Sequence, residues 1–281
     1  MRLLILGCGD IGTRVGLALA SADWCVTAAR RTPAKLPEAF TRLQIDLTQP
    51  ETFEALGECQ PDYVLVTPTP QSFDAAGYRL GFLGAAQHVV AQPWLQRCRR
   101  VFWVSSTRVY REAAGGWVDE NAALNVQEAE AVAMISAEAT MRRSATTSVI
   151  RPAGVYGNPD GMLVRKVLAG RGSAPGASFG NRIHREDLSR LLVHCLLRDA
   201  QGEHVPPTIL ACDNDATPTH AIERWLAQEW GIPLVEETAS RRPRANRRCR
   251  ADLLKKLGFE LNYPTWREGY AQVLAARDGQ N

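Results

Sequence analysis

Lysine is nearly missing from this 281-residue chain: of its 33 basic residues only Lys35, Lys166, Lys255 and Lys256 are lysines, and the rest are arginines. A lysine ammonium can lose its proton or steady a phenolate, whereas a guanidinium stays charged, so the chain has few positions for a catalytic lysine. Long apolar runs are also lacking. Nothing approaches the ~18 consecutive apolar residues that span a bilayer, so no membrane partner is expected. The apolar start before Cys8 is shorter than the ~7–15 residues of a secretion signal. The seven cysteines form no Cys-x-x-Cys pair and no Cys/His cluster at ligand spacing, which argues for free thiols, no metal site and a reducing, cytoplasmic location. Acidic residues number 30 and the net charge is +3, so no polyanionic partner such as nucleic acid is demanded.

A hydrophobic share of 45% with 22% charged residues is that of a globular protein with a large core. Leu3–Leu6, Val26–Ala29, Leu43–Asp46, Tyr63–Thr67, Val101–Ser105 and Ser148–Arg151 read as buried strands. Helical stretches separate them: Ile11–Ala22, with Val15, Leu19 and Ala22 on one face, a long one around Leu83–Arg97, and Glu128–Arg143. Strands alternating with helices pair in parallel through right-handed crossovers. The predicted fold is therefore α/β, a Rossmann-like doubly wound parallel sheet with a small C-terminal α/β substrate lobe. Residues 1–155 form the dinucleotide domain, with 178–212 returning to it, and 156–177 and 213–281 form the lobe. Beyond Arg151 the pattern loosens into Gly/Pro-rich loops, including Gly170–Gly176. A helix at Glu186–Arg198, a strand at Thr208–Ala211 and a helix at Thr219–Trp230 follow, and Trp225, Trp230 and Trp266 read as packing residues.

Gly7-Cys8-Gly9-Asp10-Ile11-Gly12 follows a strand and opens a helix, the context in which a G-x-G-x-x-G pattern points to a dinucleotide. Gly7 permits the tight turn, Gly9 lets the backbone approach a pyrophosphate, and Gly12 allows close helix–sheet packing. The first helical turn, with Asp10 and Ile11, brings its N–H groups to the phosphates. About 20 residues further on, an acidic side chain would hold the ribose 2′-hydroxyl of NAD. Arg30 and Arg31 stand there instead, a pair suited to a 2′-phosphate, so NADP is favoured over NAD. Asp46 and Leu47, after the third strand, are placed to meet the adenine edge. Thr67-Pro68-Thr69-Pro70 forms a stiffened loop after the fourth strand, with two donors removed by proline.

In order, the glycine loop, Asp46-Leu47, Ser105-Ser106-Thr107-Arg108-Val109-Tyr110, Asp119-Glu120-Asn121, Arg151-Pro152-Ala153-Gly154-Val155-Tyr156-Gly157, Arg182–Leu188 and Leu257-Gly258-Phe259 with Tyr263-Pro264 resemble the extended short-chain dehydrogenases of the NAD-dependent epimerase/dehydratase superfamily, nearly end to end. The resemblance implies an NAD(P) domain and a substrate lobe that binds nucleotide sugars in many relatives, with dimerisation through the helices after the fourth and fifth strands common among them. It implies a catalytic role for Ser106, a place near the cofactor for Ser105 and Thr67-Pro68, and a loop over the nicotinamide beginning at Arg151-Pro152.

One departure is chemical. The family uses a Tyr and, four residues later, a Lys whose ammonium lowers the phenol's pKa. Between Tyr110 and Arg151 this chain has neither tyrosine nor lysine; the two positions fall near Glu130 and Met134. Substitute acid/base candidates are Glu130, Tyr156, His184 and, less well placed, Tyr110. Glu130 reads equally as a solvated helix face beside Glu128, and His184 as a polar residue at a strand end. Three outcomes stay open: an oxidoreductase or epimerase with a substitute relay, an NADP(H)-binding redox sensor without turnover, or an enzyme whose second substrate supplies its own reactivity. Six arginines between Arg241 and Arg250 lack the aromatic interleaving of a nucleic-acid patch. They read mostly as a solvated loop, with one or two suited to a substrate diphosphate.

Overall fold

The computed structural model describes residues 1–175, 178–237 and 246–278. Strands β1 (Arg2–Leu6), β2 (Cys25–Arg30), β3 (Thr41–Gln44), β4 (Tyr63–Val66), β5 (Arg100–Val104), β6 (Trp117–Val118), β7 (Thr147–Pro152), β8 (Gly154–Tyr156), β9 (Arg171–Ser173), β10 (Arg182–His184), β11 (Thr208–Ala211), β12 (Val235–Glu237) and β13 (Arg248–Cys249) alternate with helices. The helices are α1 (Asp10–Ala20), α2 (Ala75–Tyr78), α3 (Ala85–Val90), α4 (Ala129–Ser144), α5 (Met162–Leu168), α6 (Arg185–Ala200), α7 (Thr219–Glu229), α8 (Asp252–Lys256) and α9 (Trp266–Asp278).

The central sheet has the order β3-β2-β1-β4-β5-β7-β11, and the pairings β1–β2, β2–β3, β1–β4, β4–β5 and β5–β7 are parallel. This is the doubly wound sheet expected from the alternation. A strand covered on both faces must be apolar throughout, and Tyr63–Val66 is buried at every position. Each such Leu, Ile or Val contributes roughly 1.5–3 kcal/mol when fully buried. The exposed edge strand β3 carries Thr41, Arg42 and Gln44. The order reverses between β1 and β4, so a crevice opens at their carboxyl ends, where open α/β sheets bind ligands.

Two expectations need correction. The helix read over Leu83–Arg97 is instead α2, a π-helical turn at Arg79–Gly84, α3 and a 3-10 turn at Pro93–Arg97. Pro93 cannot donate to the helical ladder, which ends the helix before it. The stretch read as loops after Arg151 contains α5 and three strands, β8, β9 and β10, of three residues each, too short for alternation to reveal.

Two compact units emerge, the first of residues 1–109, 124–151 and 189–209, the second of 110–123, 152–188 and 210–281. The second has its own core, in which Val164, Val167, Ile222, Leu226, Trp266 and Val273 are buried and Trp225 and Trp230 pack against them. Lys166 is built into this unit: its Nζ donates to Ser173 Oγ (2.7 Å) and Glu223 Oε1 (2.8 Å), joining α5, β9 and α7. The other three lysines are exposed. All seven cysteines are free thiols, and no helix among the described residues is long and apolar enough to cross a membrane.

Candidate functional site

The three glycines after β1 have three different reasons to be glycine. Gly7 has φ +78°, and a Cβ there would lie 2.7 Å from the Thr67 carbonyl oxygen; Thr67 Oγ1 donates back to the Gly7 carbonyl at 2.7 Å. At Gly12 a Cβ would come within 2.9 Å of Ile5 Cγ2, so the third glycine sets how closely α1 lies on the sheet. Gly9 has an ordinary φ of −94°, and apart from its two chain neighbours the nearest atom to a Cβ there would be the Gly7 carbonyl oxygen, 3.9 Å away. Neither backbone conformation nor protein packing requires a glycine at position 9.

The space in front of Gly9 is a cleft of about 470 Å³, walled by Gly7–Gly9, Arg30–Thr32, Ile45–Thr48, Thr67, Thr69, Gln71 and Gly81. Asp10 and Ile11 begin α1 beside it, with Asp10 paired to Arg14 at 3.1 Å. Pro68 is buried behind Thr67. Arg30 and Arg31 have no hydrogen-bonded or carboxylate partner among the described residues, and both line the cleft. Asp46 uses one oxygen, Oδ1, to accept from the Thr48 amide (3.0 Å) and hydroxyl (2.8 Å), which leaves Oδ2 for a donor in the cleft. Burial pushes the Cys8 thiol up, against weaker opposing effects from Thr13 and Arg30, so the thiol remains a neutral part of the turn.

A second grouping lies at the carboxyl end of β5. The Ser106 Oγ accepts from the Arg108 amide at 3.2 Å. The Arg108 guanidinium reaches Glu130 at 3.3 Å and Glu128 at 3.7 Å, and its carbon lies 4.9 Å from the centre of the Tyr78 ring. One turn further along α4, Met134 is buried. A carboxylate held by a guanidinium thus occupies the region where the family's tyrosine and lysine are expected.

Ser105 and Arg151 meet in the interior through Glu138, a residue that sequence reading did not single out. Ser105 Oγ donates to Glu138 Oε1 at 2.6 Å, while Arg151 Nε and Nη2 donate to its two oxygens at 3.1 and 2.6 Å. Glu138 is 1% exposed and Arg151 3%.

Tyr156, His184, Tyr110 and Pro152 belong to the second unit. The Tyr156 ring packs 5.2 Å from that of His184 and 4.7 Å from that of Tyr270, and its hydroxyl donates to the Thr265 carbonyl at 3.4 Å. Burial raises this phenol's pKa, which disfavours a phenolate. His184 also lies against Tyr263 at 3.9 Å, and Tyr110 is fully buried. The same unit contains Asp213, whose carboxyl burial raises to about 8 and whose Oδ2 lacks a hydrogen-bond partner among the described residues. No spacing rule marks this residue; its only sequence signal is an acid two residues after the end of the apolar strand β11. Of the basic segment, Arg241, Arg242 and Arg244 lie outside the described residues. Arg248 is held between the Trp117 and Phe179 rings, at 4.8 and 4.9 Å, with Nε donating to the Gly115 carbonyl at 2.9 Å.

A family model described as NAD(P)H-binding matches residues 7–199, from the first glycine to the end of α6. The chain belongs to this NAD(P)H-binding family. Among solved structures, it is similar to a protein from Methylobacillus flagellatus provisionally described as an NAD-dependent epimerase/dehydratase, with 25% identity and a TM-score of 0.81 over 99% of this chain and 98% of that one. A UDP-glucose 4-epimerase from Thermotoga maritima, solved with UDP-glucose, shares the fold at 15% identity and a TM-score of 0.77, with both chains covered in full. So does MoeE5, solved with UDP-glucuronic acid and NAD, at 18% identity, a TM-score of 0.73 and 99% coverage of each chain. A search of curated proteins finds no match. Within this NAD(P)H-binding family, the resemblance read from the motifs agrees with the sheet order at the level of fold.

Proposed function

We propose that this family member binds NADP(H) in preference to NAD(H) and acts as an oxidoreductase or epimerase on a nucleotide-sugar-like or carbonyl substrate. The observation that carries the reading is Gly9: a glycine with no conformational or packing reason of its own, at the mouth of a cleft whose two arginines lack partners. A pyrophosphate approaching the backbone at Gly9 supplies the missing reason. Arg30 and Arg31 suit a 2′-phosphate, and the spare oxygen of Asp46 suits the amino group of adenine. These residues fit the dinucleotide, which when bound supplies the hydride donor or acceptor.

The chain's own contribution to chemistry would lie at the end of β5. Ser106 keeps its hydroxyl hydrogen for a substrate oxygen, since its Oγ accepts from the Arg108 amide. Glu130 exchanges a proton with that oxygen, and Arg108 holds the carboxylate in place. Within the second unit by itself, two aromatic rings fix the Arg248 guanidinium plane, and its Nη groups have no hydrogen bond among the described residues, which suits bidentate pairing with an oxyanion.

The test is to incubate the protein with NADPH or NADP and a panel of nucleotide sugars and carbonyl compounds, and to follow products by NMR. Turnover should fall about 100-fold or more in Glu130→Gln and in Ser106→Ala, the size of a lost acid/base contribution. Unchanged turnover in both variants would remove the assignment at β5. Tight NADPH binding with no turnover on any compound would replace the enzyme reading by that of a redox sensor.

A further inference from the structure

The loop that forms one wall of the cleft is fastened from behind. His88, half-buried on α3, has Nδ1 2.9 Å from the Leu47 carbonyl oxygen. A carbonyl only accepts, so Nδ1 carries the hydrogen and the imidazole is the donor. Phe53 packs edge-on to the ring at 6.2 Å. The carbonyl of Asp46 accepts from Thr52 Oγ1 at 3.0 Å, and its amide donates to the same hydroxyl at 3.1 Å. The restraint extends further, because the Leu47 Cδ1 atom lies 3.3 Å from where a Cβ on Gly7 would be. His88 thus holds Leu47, and Leu47 lies over the pyrophosphate turn. α3 also continues directly from the π-helical turn that contributes Gly81 to the opposite wall.

We propose that His88 is a positioning residue for the adenosine half of the dinucleotide, acting through the Leu47 carbonyl on the 45–48 loop without touching the ligand itself. This rests on the reading above that adenine lies along Asp46 and Leu47. Without the imidazole donor, the loop loses the hydrogen bond that fixes its distance from Gly7, and the ligand must order it on binding.

The test is calorimetry of the whole protein with NADPH and with adenosine 2′,5′-bisphosphate, which carries the adenosine half alone. His88→Leu is expected to weaken both ligands by about 3- to 10-fold, the size of one lost hydrogen bond. His88→Asn, whose amide can place a donor near the position of Nδ1, should stay within about 2-fold of the unaltered protein. Equal losses in His88→Leu and His88→Asn, or no loss in either, would overturn the proposal. Asp46→Ala separates the two levels. If it weakens both ligands while His88→Leu does not, the positioning role fails and the adenosine placement stands; if Asp46→Ala is also without effect, both fail.

Discussion

Arg151→Met is expected to lower the free energy of unfolding by about 3–5 kcal/mol, because it strands a carboxylate in the interior. Glu138 is 1% exposed, and Arg151 supplies two of its charge-assisted hydrogen bonds, at 3.1 and 2.6 Å. Arg142, at 3.7 Å, and Ser105, at 2.6 Å, remain, but neither replaces the bidentate fork. Urea denaturation at neutral pH would measure the loss. The double substitution Glu138→Met with Arg151→Met should cost less than Arg151→Met alone, since it removes the stranded charge as well. A loss below about 1 kcal/mol for Arg151→Met would show that the pair is not the interior ion pair described here.

The second large effect is on the ligand alone. Gly9→Ala should lower stability by no more than about 1 kcal/mol, the scale of alanine replacing glycine at a helix N-cap, since apart from its chain neighbours a methyl group there has no protein atom nearer than 3.9 Å. It should nevertheless weaken NADPH by about 10- to 100-fold, because the methyl enters the space reserved for close approach of the pyrophosphate; a forced contact of this kind costs about 1–3 kcal/mol. Gly12→Ala should behave in the opposite way, disturbing folding through the 2.9 Å approach to Ile5. Thermal unfolding and calorimetry on the two variants separate the roles. Full NADPH affinity in Gly9→Ala would show that the dinucleotide does not pass over this turn.

The parts legible in the sequence were those set by local chemistry. Buried strands such as Tyr63–Val66 are apolar at every position because the sheet covers both of their faces, and the glycine loop between strand and helix announces itself by spacing. The grouping of Arg30, Arg31, Asp46, Leu47 and Thr67 around one cleft follows from the parallel order, which brings the ends of β1 to β4 together. Features that depend on contacts distant in sequence were not legible. Glu138 meets Ser105 across 33 residues, and nothing in the spacing distinguishes it from a surface glutamate of an amphipathic helix. Arg108 reads as a loop residue until the fold brings α4 and α2 to it. The π-helical turn at Arg79–Gly84 is hidden because apolar residues at helical spacing do not distinguish its geometry from an ordinary helix. Of the four lysines three are exposed and Lys166 is committed to Ser173 and Glu223 in the second unit; the cation beside Glu130 is an arginine, Arg108.

The most direct test of the central claim is calorimetric titration of the protein and of Arg30→Asp with NADPH and NADH. The expected result is micromolar or tighter NADPH binding by the unaltered protein, weaker NADH binding, and a loss in Arg30→Asp that falls about 10-fold or more harder on NADPH than on NADH, as removal of a charge-assisted phosphate contact requires. Absence of binding for both cofactors below millimolar concentration, or an equal loss for both in Arg30→Asp, would contradict the account.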